Sequence, residues 1–260
     1  RGQVFTLNRL TGEPIDPVEQ RPVPQGAAAG DFTAETQPYP TRMPAFTGPD
    51  LTEADMWGIT PLDQLWCRME FRKLRYDGQF TPPSEGGSLQ FPGYIGGINW
   101  GAVSVHQEER IMIANWTRMA NRVELIPREE ADRRGWDAAD WEGNYSVSMA
   151  LAAPQMGTPF AVTNAPFMSP LGVPCQRPPY GMLTAVDLDT FEVLWEQPVG
   201  TAANSGPLGI KSGLTWELGA PMTGGTLVTK TGIVFFAGSQ DGFIRANDMR
   251  TGKELWRMQM

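Results

Sequence analysis

Histidine and cysteine are scarce. His106 is the only histidine, and the two cysteines, Cys67 and Cys175, stand far apart with no C-x-x-C pair. A zinc centre built from His and Cys ligands is excluded on that count. A solvated loop histidine is the default for His106, which follows a strand at what looks like a hairpin tip. Positive charge is also short: 21 Lys and Arg against 29 Asp and Glu leave a net charge of -8, the opposite of the basic face a nucleic-acid partner requires. No apolar run reaches the ~20 residues that span a bilayer, and no charged-then-apolar leader is present, so neither a membrane helix nor a signal peptide is expected within the chain. The Gly224-Gly225 pair lacks the G-x-G-x-x-G spacing and precedes no helix, which excludes a nicotinamide loop.

Glycine and proline are plentiful, at 29 and 23, enough for a turn-rich chain and short of a disordered one. With 260 residues, one large domain or two small ones can each bury a sizeable core. The most informative stretch is the last, Gly232 to Trp256. Ile233–Ala237, Phe243–Asn247 and Lys253–Met258 form three short β runs separated by Gln240-Asp241-Gly242 and Met249-Arg250-Thr251-Gly252. From Ala246 the phrase is Ala-x-Asp-x-x-Thr-Gly-x-x-x-Trp. It recurs as Ala185-Val-Asp187-Leu-Asp-Thr190-Phe191-Glu-Val-Leu-Trp195, with Phe191 where Gly252 stands, a period of 256 − 195 = 61 residues. A weaker copy, Thr6-Leu-Asn8-Arg-Leu-Thr11-Gly12, opens the chain, with Asp16 in place of the closing Trp. Repeated meanders, each carrying one indole, predict a propeller. A single meander cannot bury both faces, and the indole wedges it against its neighbour.

The repeated phrase resembles the tryptophan docking motif of the quinoprotein alcohol and glucose dehydrogenases. Pro22-Val-Pro-Gln-Gly26, Ala54-Asp-Met-Trp-Gly58, Thr81-Pro-Pro-Ser84, Phe91-Pro-Gly93 and Leu171-Gly-x-Pro-Cys175 are similar to the membrane-bound glucose dehydrogenase branch, in unbroken order from residue 1 to the last. The resemblance implies an all-β fold: part of an eight-bladed β-propeller, with a few short helices and long Pro- and Gly-rich loops. Residues 1–260 would be the C-terminal portion of one propeller domain, incomplete at both ends. It implies pyrroloquinoline quinone as cofactor, with a Mg or Ca ion whose ligands lie outside this chain. It also implies a sugar or polyol substrate, ubiquinone as electron acceptor, attachment to the membrane through a preceding N-terminal segment, and the periplasmic side of a bacterial inner membrane. The family's catalytic Asp and its cofactor-binding Lys and His would precede residue 1, so no catalytic residue is assigned here and the piece alone is expected to be inactive. The competing reading is a non-catalytic propeller scaffold or binding module, and the upstream sequence decides between them.

Taken in order, residues 1–16 read as a remnant hairpin and 17–50 as a Pro- and Gly-rich excursion, too polar for a core strand, that wraps the outside. Thr60-Pro61-Leu-Asp63 starts a helix with Leu62, Leu65, Trp66 and Met69 on one face and Gly78 as its stop. Ser88–Phe91, Ile98–Val105 and Arg110–Trp116 are expected as strands of one blade, and Arg128–Trp136 as a short surface helix and loop. Trp136 and Trp141 are placed on the rim. The prolines of 144–182 argue against regular ladders there, and 200–223 is a Gly-, Pro- and Ser-rich crossing.

Cys67 and Cys175 are either two buried thiols or one disulfide. The extracytoplasmic setting implied by the resemblance favours the disulfide. Asn115, at the end of a strand, matches the family Asn whose amide bonds the quinone oxygens; alone, such an Asn is a turn former. Asp241 matches an acid beside the cofactor pocket. An acid repels an anionic cofactor, so it is expected to hold a Lys or Arg that touches the cofactor, and the alternative is a plain Asp-Gly turn residue. Asn99-Trp100 is a weaker candidate.

Overall fold

The structure, a computed structural model, describes residues 2–136, 152–155 and 157–260. Trp141 lies outside them. Three four-stranded antiparallel sheets carry the fold. The first comprises β3 (Ser88–Gln90), β6 (Asn121–Pro127), β8 (Phe160–Pro166) and β7 (Ala152–Ala153), in the order β3-β6-β8-β7. The second is β4 (Val103–His106), β5 (Ile111–Thr117), β9 (Gly181–Asp187) and β10 (Val193–Pro198), in the order β4-β5-β9-β10. The third is the meander β11 (Thr226–Val228), β12 (Ile233–Phe236), β13 (Phe243–Asp248) and β14 (Glu254–Gln259). No helix among the described residues is long and apolar enough to cross a membrane.

The repeated phrase is a turn with one geometry used three times. In the last copy Asp248 N donates to Lys253 O at 2.9 Å and Gly252 N to Asp248 O at 2.9 Å. Asp187 with Glu192 and Phe191 repeats this at 3.0 and 2.8 Å, and Asn8 with Glu13 and Gly12 at 2.8 and 2.7 Å. The fifth residue must adopt positive φ, which is +75° at Gly252 and +77° at Gly12. Phe191 takes +63° without the freedom of a glycine.

The indole then locks the blades. Trp195 Nε1 donates to Met249 O at 2.8 Å, and Gln197 Nε2 to Gly252 O at 2.7 Å. A Cβ on Gly252 would sit 2.8 Å from Trp195 Cε3, so only glycine admits the ring. Behind the wedge, Ile113, Leu183, Val199, Met222, Val234, Phe236 and Met249 form the core shared by the second and third sheets. Trp256, the matching residue of the third sheet, is 47 % exposed. The Phe191 turn of the second sheet receives no docking indole, because the first copy has Asp16 in place of the Trp. Instead the buried Asp16 carboxylate accepts from Arg42 N and Met43 N, and the Arg42 guanidinium lies 4.6 Å over the Phe191 ring. A cation on a ring thus closes the junction where both Trp and Gly are missing.

Several expectations need correction. Residues 17–50 are not free of strands: β1 (Val18–Pro22) and β2 (Thr36–Pro40) pair antiparallel, and Met43 and Phe46 enter the core beneath the second sheet. Ser88–Gln90 belongs to a different sheet from Val103–His106, so the three runs expected as one blade are divided. Ile98–Ala102 form a turn rather than a strand, and Trp100 is 91 % exposed. The prolines of 144–182 do not prevent β8, because Pro166 sits at its end.

Helix α1 (Pro61–Lys73) begins as expected, with the Thr60 hydroxyl accepting from Asp63 N at 3.2 Å. It ends at Lys73, before Gly78. The apolar face points the unexpected way: Leu62, Leu65 and Met69 are 78, 51 and 52 % exposed. Asp63 and Cys67 face the core instead, because Cys67 is joined to Cys175 across a Cα–Cα distance of 5.3 Å. The second helix, α2 (Arg128–Arg133), lies on the first sheet, and Trp136 packs partly buried against Ile126, Ala131 and Ala161.

Candidate functional site

Both candidate residues lie at the same end of the second and third sheets, where β5 and β12 finish and β9, β11 and β13 start. Asn115 is third from the end of β5, a strand buried along its whole length because core packs on both of its faces. Its side chain is 5 % exposed, and Nδ2 donates to Gly224 O on the crossing that enters β11. Thr117, two residues on and therefore on the same face of the strand, accepts from Met222 N at 3.3 Å and donates to Met222 O at 2.9 Å. The crossing passes very close: Gly101 and Gly225 approach until a Cβ on Gly225 would lie 2.5 Å from Gly101 O.

Asp241 holds the other side of that crossing. Gln240 N donates to Pro221 O at 3.2 Å, and Met222 bridges Ser239. The Asp241 side chain is 1 % exposed and its oxygens are fully engaged. They accept from Thr201 N at 2.9 Å, from Phe243 N at 3.3 Å and from both terminal nitrogens of Arg245. Burial pushes the carboxyl upward, but Arg245 and the two backbone N–H groups outweigh it and hold it below the usual carboxylate range. Burial likewise disfavours the Arg245 cation, and the Asp241 partner more than offsets this. The acid therefore positions an arginine, as its charge suggested. Arg245 was missed in the sequence, although it stands four residues on in an alternating strand and so shares the face of Asp241.

The two candidates do not touch each other; they meet through residues 220–225, held by Asn115 and Thr117 on one side and by the Asp241 turn on the other. Asn99 accepts from Trp100 N at 2.7 Å and shapes the turn beside Gly101. His106 lies at the opposite end and is not solvated. It is 5 % exposed, Nε2 lies 3.0 Å from Lys230 O, and Nδ1 accepts from Glu109 N at 3.1 Å. The ring there joins the β4–β5 turn to the next sheet. No cluster of three or more His, Cys, Asp or Glu able to hold a metal occurs among the described residues.

Four-stranded antiparallel sheets packed side by side, with the Trp195 indole wedged between the second and third, define part of a blade-built β-propeller. The family model described as "PQQ: Glucose/ethanol/alcohol dehydrogenase, beta-propeller domain" matches residues 1–260, and the chain belongs to that family. It is 46 % identical over 263 residues to the glycerol dehydrogenase large subunit of Gluconobacter oxydans, covering 98 % of this chain and 35 % of that protein. It is 45 % identical over 257 residues to a probable quinate dehydrogenase (quinone) of Xanthomonas campestris, covering 98 % and 32 %. With the quinoprotein glucose dehydrogenase of Escherichia coli it shares 40 % identity over 256 residues, covering 98 % and 32 %. The chain thus spans about a third of the length of these relatives.

Proposed function

We propose that this chain is the C-terminal part of a membrane-attached quinoprotein dehydrogenase on the periplasmic side of a bacterial inner membrane. In this reading the whole protein oxidises a sugar or polyol through pyrroloquinoline quinone and passes the electrons to ubiquinone. The observation that carries it is the family match along the full chain, joined to relatives named for glycerol, quinate and glucose.

The residues present fit part of what such a cofactor needs. The Asn115 amide is a neutral donor in a buried place, one of its hydrogens is given to Gly224 O, and a second remains to be given. A neutral donor orients a quinone oxygen without repelling the cofactor's carboxylates. Arg245 is already paired with two carboxylates, Asp241 at its terminal nitrogens and Glu254 Oε2 3.3 Å from Nε, and is not assigned as a counter-cation. The cations and the Mg or Ca ligands are therefore assigned to the preceding part of the protein, as are the proton-accepting acid and the substrate pocket. When bound, the quinone supplies a two-electron, two-proton acceptor for an alcohol carbon.

The test uses the full-length protein with added quinone and Mg²⁺ or Ca²⁺. Dye reduction is followed with glucose, glycerol and quinate, and quinone binding by quenching of tryptophan fluorescence. Asn115→Ala is expected to raise the quinone concentration for half-maximal activity and for half-maximal quenching at least tenfold. An unchanged requirement in both assays removes Asn115 from the cofactor site. Failure of the wild type to bind quinone or to turn over any of the three identifies the scaffold instead.

A further inference from the structure

We propose that the seam between the second and third sheets carries a Ca²⁺ site that clamps the two blades together, separate from any ion that accompanies the quinone. A cavity of 240 Å³ opens there between the edge strands β10 and β14, lined by Gln197, Glu217, Arg245, Asn247 and Glu254. That is smaller than the ~300 Å³ at which small-molecule pockets begin, and it suits a metal ion with a few waters.

The donor groups are set by bonds behind the wall. Gln197 Nε2 and Asn247 Nδ2 both donate to Gly252 O, each at 2.7 Å, so amides from the two sheets stand side by side. With the nitrogens pinned, the oxygens are left over. Asn247 is 2 % exposed, and its Oδ1 has no partner among the described residues. Gln197 Oε1 likewise accepts from none of them. A buried carbonyl oxygen calls for a donor or a cation. Two carboxylates complete the set. Glu217 Oε2 accepts from Gly200 N at 3.0 Å, its Oε1 lies 3.4 Å from Arg257 Nη1, and Glu254 Oε1 lies 3.6 Å from Arg257 Nε. One guanidinium thus reaches both acids, and holds both loosely.

The charges favour a cation. Asp241, Glu217 and Glu254 are linked to Arg245 and Arg257, three negative groups against two positive. Arg245 stays with Asp241 at both terminal nitrogens and with Glu254 Oε2 at 3.3 Å from Nε. Arg257, more than a third exposed, is the cation that an ion displaces to solvent. Two carboxylates and two amide oxygens then face the cavity. Such a set suits Ca²⁺, which takes about six to eight oxygens in adaptable geometry, better than Mg²⁺, which keeps its own waters in a strict octahedron. Because half of the set is amide, no group of three acids marks the site. The ion joins Gln197 of one blade to Asn247 and Glu254 of the next, beside the Trp195 wedge.

The test is equilibrium dialysis of radiolabelled Ca²⁺ against the full-length protein at saturating Mg²⁺, without added quinone. Glu254→Gln is expected to weaken one class of Ca²⁺ site at least tenfold. Arg257→Gln, which removes the competing cation, is expected to tighten the same class at least threefold. Ca²⁺ should raise the melting temperature of the wild type and leave that of Glu254→Gln unchanged, while the two melt alike in chelator. A wild type that binds no Ca²⁺ under these conditions overturns the proposal, as does a site that Glu254→Gln leaves intact. Should Glu254→Gln melt lower in chelator, Arg257→Gln decides alone, and binding that it fails to tighten overturns the proposal. Dehydrogenase turnover is not part of the readout, so this site and the proposed activity fail independently.

Discussion

Removing the Cys67–Cys175 bond with the double substitution Cys67→Ala and Cys175→Ala is expected to destabilise the protein by about 4–5 kcal/mol. The bond closes a loop of 108 residues. In the chain-entropy account such a loop costs the unfolded ensemble about 16 cal/mol/K, or roughly 4.8 kcal/mol at room temperature. Native contacts should survive the change. Both sulfurs sit at 0 % exposure among Leu51, Met56, Leu74, Leu89, Phe91 and Phe167, where alanine is tolerated apart from a small cavity. Cys175 also keeps its backbone bonds, donating to Phe167 O at 2.9 Å and accepting from Trp57 N at 2.6 Å. The measurement is urea unfolding of the full-length protein against the double variant, followed by tryptophan fluorescence at matched m-value. Spread over a protein about three times the length of this chain, that loss should lower the melting temperature by only about 3 °C. A loss under ~1 kcal/mol would refute the loop argument, and alkylation of both thiols in native, unreduced protein would refute the bond itself.

Trp195→Phe keeps most of the wedge and loses one bond to Met249 O, so about 1 kcal/mol is expected from urea unfolding. Gly252→Ala should cost more, about 2 kcal/mol or above, because it forces positive φ on alanine and displaces the indole; equal effects would contradict the docking geometry. Asp241→Asn strands a buried Arg245 and should cost about 3–5 kcal/mol at neutral pH. Because the folded-state carboxyl lies below its unfolded value, that contribution is complete above the ordinary range near ~4 and fades as pH falls through the lower folded value. The gap between wild type and variant should therefore close in acid; a gap independent of pH would show that the ion pair does not carry the effect.

Much of the architecture is legible because its signals are local. The Asp-x-x-Thr-Gly turn closes within six residues, so the three copies announce themselves and their spacing sets the period. Helix α1 declares its start through Thr60 and Pro61 for the same reason. What escaped depends on distant partners. Nothing near Leu62, Leu65 and Met69 tells that a cysteine 108 positions from Cys67 will turn their face outward. His106 reads as a loop residue until Lys230, 124 residues on, caps its ring. Trp100 alternates like a strand residue, yet Gly97 to Ala102 must bend to let Gly101 meet Gly225, and Ala102 takes φ +53°. Asp16 looks like a lost tryptophan; only the structure shows that it recruits Arg42 to cover Phe191.

The same division explains why the candidate site was half visible. Asn115 announces a polar group at the end of an apolar strand, and a buried amide must be satisfied by something. Its partner, Gly224 O, sits 109 residues away on a crossing with no periodicity of its own. That crossing cannot hold itself in place, since glycine and proline leave it few side chains with which to pack. Its position comes from bonds on both sides: Asn115 and Thr117 from one sheet, Ser239 and Gln240 from the next. Asp241 and Arg245 neutralise each other within the second of these supports, so their charges stiffen the turn rather than project beyond it. A site assembled this way separates the Asn115 amide from the ion pair that holds the frame. Substitution at Asp241 then reaches Asn115 only through the 220–225 backbone.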